Sequence, residues 1–164
     1  ILVAELQHRT RNLISVVQAV SERTLAGSAT LSGYRDRFQA RLGALARVNG
    51  LLSRLSEVDR IAFDDLIHME FAAHGVAASI DPDGQLTLEG PSGVRLRSTT
   101  AQTLALAIHE LATNAVKYGA LSRSEGRLRV RWRVFSGEDG PRLRLDWTES
   151  GVDIPPERNL RKGY

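Results

Sequence analysis

The stretch Ala105-Leu-Ala-Ile-His109-Glu110-Leu-Ala-Thr-Asn114-Ala-Val-Lys117-Tyr118 decides how the second half of this chain is read. Together with Leu104, the residues Ile108, Leu111 and Ala115 recur at spacings of three and four, which lines them along one side of a helix and predicts that this side faces a core. Thr99 and Gln102 have capping-box spacing at the helix entry, and Gly119 is the expected stop. Glu110, Asn114 and Lys117 are spaced four and three apart, so they share a second face roughly 120° round the helix. A carboxylate, an amide and an ammonium in one row suit a nucleotide carrying magnesium: the oxygens suit a hard cation or its waters, the lysine a phosphate. The same row is also an ordinary ionic face of an exposed helix, and spacing alone leaves both open.

Outward from this helix the pattern is mixed. Downstream, Leu128, Val130, Trp132 and Val134 alternate with Arg127, Arg129, Arg131 and Arg133; Ser136–Pro141 turns the chain; Leu143, Leu145 and Trp147 alternate again. This predicts a strand hairpin whose arginines line a solvated face. Upstream, Phe63-Asp-Asp-Leu-Ile starts a short helix with Asp64 as its cap and Gly75 near its end; Gln85–Glu89 alternates like a strand, and Gly90–Gly93 is a turn. Residues 61–164 therefore read as a mixed sheet covered on one face by helices, an α/β two-layer arrangement.

The first sixty residues are different. Leu2, Leu6, Leu13, Val17 and Val20 form one helical stripe, and Phe38, Leu42, Leu45, Val48, Leu52 and Leu55 a second. Leu25–Thr30, with Gly27 and small polar residues, separates them. Two such helices joined by a short loop form an antiparallel hairpin. A lone hairpin buries both stripes poorly, so it should recruit another surface, most simply a second copy, giving a four-helix bundle across a dimer. The fold class is thus α+β, with a helical hairpin over 1–60 and an α/β domain over 61–164.

Composition narrows the function. The 164 residues contain no cysteine, which excludes disulfides, thiolate metal sites and cysteine nucleophiles. Lys+Arg 22 against Asp+Glu 19 gives a net charge of +3, and aromatic residues are 5%, too little charge and stacking surface to indicate nucleic acid. No apolar run approaches the roughly 20 residues of a membrane span, and the N-terminus lacks the basic lead and apolar core of a secretory signal. A cytoplasmic location without membrane contact is the expectation.

Two further residues stand out. His8 points roughly 150° away from the stripe of the first helix, taking about 100° per residue. Arg11, Asn12 and Ser15 share its side, so its imidazole is expected on a solvated face. In Leu145-Asp-Trp147-Thr-Glu149-Ser-Gly151, alternation puts Glu149 on the face of Leu143, Leu145 and Trp147, at the rim of the core. A carboxylate there must be hydrated, paired or liganded, and a purine amino group is one partner that satisfies it. Gly151 allows close backbone approach.

Taken jointly, Glu5-Leu-Gln-His8-Arg9-Thr-Arg11-Asn12-Leu13, then His109-Glu110-Leu-Ala-Thr-Asn114-Ala-Val-Lys117-Tyr118-Gly-Ala-Leu-Ser, and Trp147-Thr-Glu149 resemble, in order and spacing, the HWE family of bacterial sensor histidine kinases. The resemblance runs from about residue 4 to residue 163. It implies a dimerisation and phosphotransfer hairpin followed by an ATP-binding domain of the gyrase–Hsp90–kinase–MutL type. By position, His8 looks like the phospho-acceptor and Asn114 like the magnesium-linked asparagine. Lys117, beside Tyr118, would approach the phosphates, and Glu149, with Gly151 beside it, would bind the adenine amino group. His109 belongs to the same asparagine-box motif without a defined role. ATP and Mg2+ are the implied cofactors, a response-regulator receiver domain the implied partner, and a sensor domain upstream of Ile1 the implied input. Arg9 stands where many histidine kinases have an acidic residue, so a base, where one is used, comes from Glu5 or, with the better claim, Glu110. The family continues with a glycine-rich lid, a helix and strands, so the ATP-binding domain reads as C-terminally incomplete. The competing readings are an ATPase of the same fold with no phosphohistidine, and a helical interaction module without catalysis.

Overall fold

A computed structural model describes residues 2–54, 60–78, 84–138 and 140–152; for residues 2–6, 8, 9, 53 and 54 only the backbone is described. Two long helices, α1 (Leu2–Ala26) and α2 (Leu31–Arg54), come first. Then follow β1 (Arg60–Ala62), α3 (Phe63–Ala73), β2 (Leu86–Glu89), β3 (Arg95–Arg97), α4 (Ser98–Lys117), a 3-10 turn (Ala120–Ser122), β4 (Arg127–Gly137) and β5 (Gly140–Ser150). The chain is a mixed α+β protein.

The break between α1 and α2 falls where glycine and small polar residues predicted it. The two helices are tied together across it: the Ser21 and Tyr34 hydroxyls lie 2.9 Å apart, Arg37 Nη1 donates to the Gly27 carbonyl at 2.6 Å, and Arg41 Nη1 donates to Thr24 Oγ1 at 2.7 Å. The C-terminal part of the second apolar stripe finds a surface within this same chain. Val48 and Leu52 enter one core with Phe63, Leu66, Ile67 and Phe71 of α3, Ile108 of α4, and Leu86, Leu128, Val130 and Trp132 of the strands.

The strands form two sheets. β1 pairs antiparallel with β3, Ile61 opposite Leu96. β2 pairs parallel with β4, Leu88 opposite Val130, and β4 pairs antiparallel with β5, Val130 opposite Trp147. The two-stranded sheet was not legible in the alternation, because three residues are too few to show a period. On β4 the predicted faces are observed: Leu128, Val130 and Trp132 are buried, while Arg129, Arg131 and Arg133 are exposed. The arginines are neutralised across the sheet, with Arg131 2.6 Å from Glu89 and Arg133 3.2 Å from Asp146. Burial of the alternating face stops at Trp132; Val134 is 44% exposed.

Three local expectations are corrected. Asp64 does not cap α3: the helix starts directly from β1 with Ala62 as N-cap, and Asp64 Oδ1 instead accepts the Gly93 N–H at 2.9 Å. Thr99 and Gln102 do not form a capping box: α4 begins at Ser98 behind Arg97, and the Gln102 amide turns inward to donate to Asn49 Oδ1 at 3.0 Å. The buried side of α4 keeps Ile108 and Ala115 of the predicted stripe but turns away from Leu111. It is Ala101, Gln102, Ala105, Ile108, His109, Ala112 and Ala115, while Leu111 is 38% exposed. The helix is rotated because Gln102 and His109 find polar partners on α2 and α3, and a face of alanines lets those helices approach.

Candidate functional site

The end of α4 and the end of β5 meet, and this junction gathers most of the residues singled out in the sequence. Asn114 lies in the last turn of α4; its carbonyl accepts the N–H groups of Tyr118 and Gly119 at 2.8 and 2.9 Å, closing the helix. Asn114, Lys117 and Tyr118 are exposed. Immediately beyond, the Ala120 N–H donates to Glu149 Oε2 at 2.7 Å, and the Trp147 indole N–H donates to Glu149 Oε1 at 2.9 Å. Trp147 is itself seated by stacking on Phe71, ring centroids 5.8 Å apart. Both oxygens of Glu149 are therefore fixed by N–H donors, one from each motif. A carboxylate offers about four lone-pair sites, so two remain for a further donor.

Two glycines make this junction possible. A Cβ on Gly119 would overlap the Glu149 carboxylate and sit 2.8 Å from the Ala115 Cα. Gly151 has φ +70°, and a Cβ there would lie 2.6 Å from the Glu125 carbonyl. The first is a close approach, the second a left-handed turn closed to most side chains.

Glu110, on the same face as Asn114, is engaged from α2: Arg41 Nε donates to its Oε1 at 2.7 Å. That hydrogen bond, working against partial burial, holds the Glu110 carboxyl below the ordinary glutamate range. His109 is buried, 7% exposed, in a polar knot between helices. Its Nδ1 is 3.5 Å from both Arg47 Nη2 and Glu70 Oε2, and its ring stacks on His74 at 5.0 Å. Arg47 Nη2 is 2.8 Å from the same Glu70 oxygen. Burial alone would raise the Glu70 pKa; hydrogen bonds from His109 and Arg47 outweigh it and hold the carboxyl below its usual value. So His109 and Glu110, neighbours in sequence, face two different contacts with α2.

His8 lies within α1, and its side chain lies outside the described residues, as does that of Glu5. Delivery of a phosphate from one domain to the other calls for a mobile joint, expected near Glu57–Ile61; its residues 57–59 lie outside the described residues, as does the C-terminal stretch from residue 153. No helix among the described residues is long and apolar enough to cross a membrane.

Sequence reasoning missed Arg41, Arg47, Glu70 and His74. One signal was present: Glu70 sits on the helical stripe Phe63, Leu66, Ile67, Phe71, where a charged residue must have a buried partner. That the partner is Arg47, 23 residues upstream, is a fact of packing alone.

Known proteins resemble the chain over most of its length. The chain is 38% identical over 154 residues to the blue-light-activated histidine kinase 1 of Erythrobacter litoralis, covering 92% of this chain and 39% of that protein. It is 30% identical over 156 residues to a blue-light-activated histidine kinase of Rhizobium johnstonii, covering 95% of this chain and 41% of the relative. A Brucella anthropi protein of the same description is 27% identical over 164 residues, 100% of this chain and 32% of its own. The chain thus spans about two-fifths or less of these relatives' length. The model of the HWE histidine kinase family matches residues 5–92, more than half of the sequence, and the chain belongs to that family.

Proposed function

We propose that this chain is the phosphotransfer and nucleotide-binding core of an ATP-dependent protein histidine kinase. In this reading residues 1–60 are the hairpin that carries the acceptor and pairs two copies into a four-helix bundle, and residues 61–164 are the two-layer ATP-binding domain. The observation that carries it is the convergence of the Trp147–Glu149 motif on Gly119–Ala120, directly past the exposed Asn114 and Lys117.

The chemistry follows from these groups. Glu149, already oriented by two N–H donors, has lone pairs left for the exocyclic amine of adenine. Lys117 and Tyr118, exposed at the end of α4, are the groups assigned to the triphosphate. The exposed amide oxygen of Asn114 is a hard donor of the type magnesium or its waters take, and magnesium when bound would neutralise charge on the phosphoryl oxygens. His8 supplies the nucleophile. With an ordinary pKa near 6.5, about three quarters or more of an imidazole is neutral at neutral pH. One imidazole nitrogen attacks the γ-phosphorus, an N–P bond forms, the β–γ bridging P–O bond breaks, and ADP departs. Positioning, rather than strong base catalysis, does most of this. Glu110 is the proposed acceptor of the imidazole proton. Arg41 engages it in the state described, so that role belongs to a state in which α4 has left α2. The phosphoryl group then passes to an aspartate of a response-regulator receiver domain.

Autophosphorylation of the full-length protein tests the reading. Wild type is expected to take up acid-labile, alkali-stable phosphate; Glu149→Ala and Asn114→Ala are expected to abolish it, and Glu110→Gln to slow it where Glu5→Gln does not. An unimpaired Glu110→Gln removes the base role, and full labelling of Glu149→Ala removes the adenine assignment.

A further inference from the structure

The knot around His109 contains three groups that none of the proposed kinase chemistry uses. Glu70 and His74 are four residues apart on α3 and so share a face, and His109 reaches them from α4. One donor atom from each, a carboxylate oxygen and two imidazole nitrogens, lies within 4.8 Å of the others. Glu70 is wholly buried, and the His74 Nε2, itself shielded from solvent, has no hydrogen-bond partner among the described residues. A shielded imidazole nitrogen without a partner is costly, and its neighbours are another imidazole and a carboxylate.

We propose that Glu70, His74 and His109 form a transition-metal site of the Zn2+ type, whose filling competes with Arg47 for Glu70. Two imidazoles and one carboxylate are a borderline donor set that suits Zn2+ or Co2+ and not Mg2+, so this site is chemically separate from the proposed nucleotide magnesium. Four-coordinate Zn2+ with bonds of about 2.0–2.1 Å wants its donors about 3.3 Å apart. The observed spread therefore needs side-chain closure of about 1.5 Å at most.

The place the ion would take is marked. Arg47 Nη2 stands 2.8 Å from Glu70 Oε2 and 3.5 Å from His109 Nδ1, and those two atoms are 3.5 Å apart. The guanidinium is thus the present cation between carboxylate and imidazole. A divalent ion there repels it, and because the Arg47 side chain is 31% exposed it has a path to water. Metal and Arg47 are then mutually exclusive partners of Glu70. Since Arg47 belongs to α2, metal binding removes one of the polar ties between α2 and the α3–α4 pair. This inference stands whether or not His8 is phosphorylated.

The experiment is titration of the full-length protein with Co2+ and Zn2+ in the presence of millimolar Mg2+, read by Co2+ d–d absorption and by calorimetry. One ion per chain is expected, with absorption of a four- or five-coordinate ion. His74→Ala removes a partly exposed ligand and should weaken Zn2+ at least tenfold, with unfolding of the metal-free variant unchanged enough to show that it folds. His68→Ala, at an exposed histidine outside the knot, should change nothing. Arg47→Lys, which loosens the competitor, should tighten binding severalfold. Equal Zn2+ affinity in wild type and His74→Ala, weaker binding in Arg47→Lys, or binding lost in His68→Ala would each overturn the proposal.

Discussion

Gly119→Ala is the substitution that tests the α4–β5 junction most sharply. Gly119 has φ −103°, a value open to any residue, so the backbone itself offers no objection. Away from this site the change would stabilise by about 0.4–1 kcal/mol through the unfolded chain. Here the new methyl overlaps the Glu149 carboxylate, lies 3.1 Å from its Cδ, and lies 2.8 Å from the Ala115 Cα. The carboxylate must leave the Ala120 N–H. A hydrogen bond to a charged acceptor contributes about 1.5–3 kcal/mol, and the exposure of Glu149 argues for the lower end. Crowding of the last helical turn adds about 1 kcal/mol. The net is a loss of about 2 kcal/mol, or about 4–8 °C in Tm for a chain of this size. Urea unfolding of wild type, Gly119→Ala, Glu149→Ala and the double variant measures it. Because the overlap is chiefly with Glu149, the cost of Gly119→Ala should fall by about 1.5 kcal/mol when Glu149 is already alanine. Gly119→Ala that is neutral or stabilising, or that costs the same with and without the Glu149 side chain, refutes the geometry.

Other consequences are equally direct. Arg47→Ala leaves the buried Glu70 carboxylate with His109 alone and should destabilise by about 3 kcal/mol, the low end for a broken buried pair; a loss under about 1 kcal/mol in urea unfolding contradicts the pairing. Glu110→Gln removes the charge that Arg41 holds, and because Glu110 is 44% exposed the expected cost is only about 0.5–1 kcal/mol near pH 7. The folded pKa of Glu110 lies below its unfolded value, so this contribution is complete above the ordinary glutamate range and disappears as pH falls through the folded value. Wild-type and Glu110→Gln stability curves should therefore converge in acid, and curves that stay parallel refute the pair. Gly151→Ala forces a side chain to φ +70° and against the Glu125 carbonyl, which should cost about 1–3 kcal/mol and weaken nucleotide binding alongside; unchanged unfolding contradicts the turn.

The sequence made some of this legible and hid the rest for identifiable reasons. Periodicity located both long helices, the β4–β5 hairpin and its arginine face, because those signals are repeated over many residues. The convergence of Glu149 on the end of α4 was approachable only through order and spacing of motifs, since nothing local says which backbone N–H a rim carboxylate will take. The rotation of α4 was hidden because the leucines were counted as core, Gln102 was read as half of a cap, and His109 had no assigned place. Their burial depends on Glu70, Arg47 and Asn49, contributed by helices far away in sequence. The same cause explains Asp64 and Thr99: each has the chemistry of a cap, but Asp64 accepts from a turn 29 residues on, and Gln102, the other half of the box, bonds to α2.

In the proposed reaction a nucleotide held at the α4–β5 junction phosphorylates the imidazole of the first helix. Incubating the full-length protein with Mg-ATP and mapping the modified peptide tests it most directly. One acid-labile, alkali-stable phosphate is expected on His8, absent in His8→Ala although that variant still binds Mg-ATP. Phosphate on a hydroxyl side chain, labelling that survives His8→Ala, or ATP hydrolysis with no phosphoprotein would contradict it.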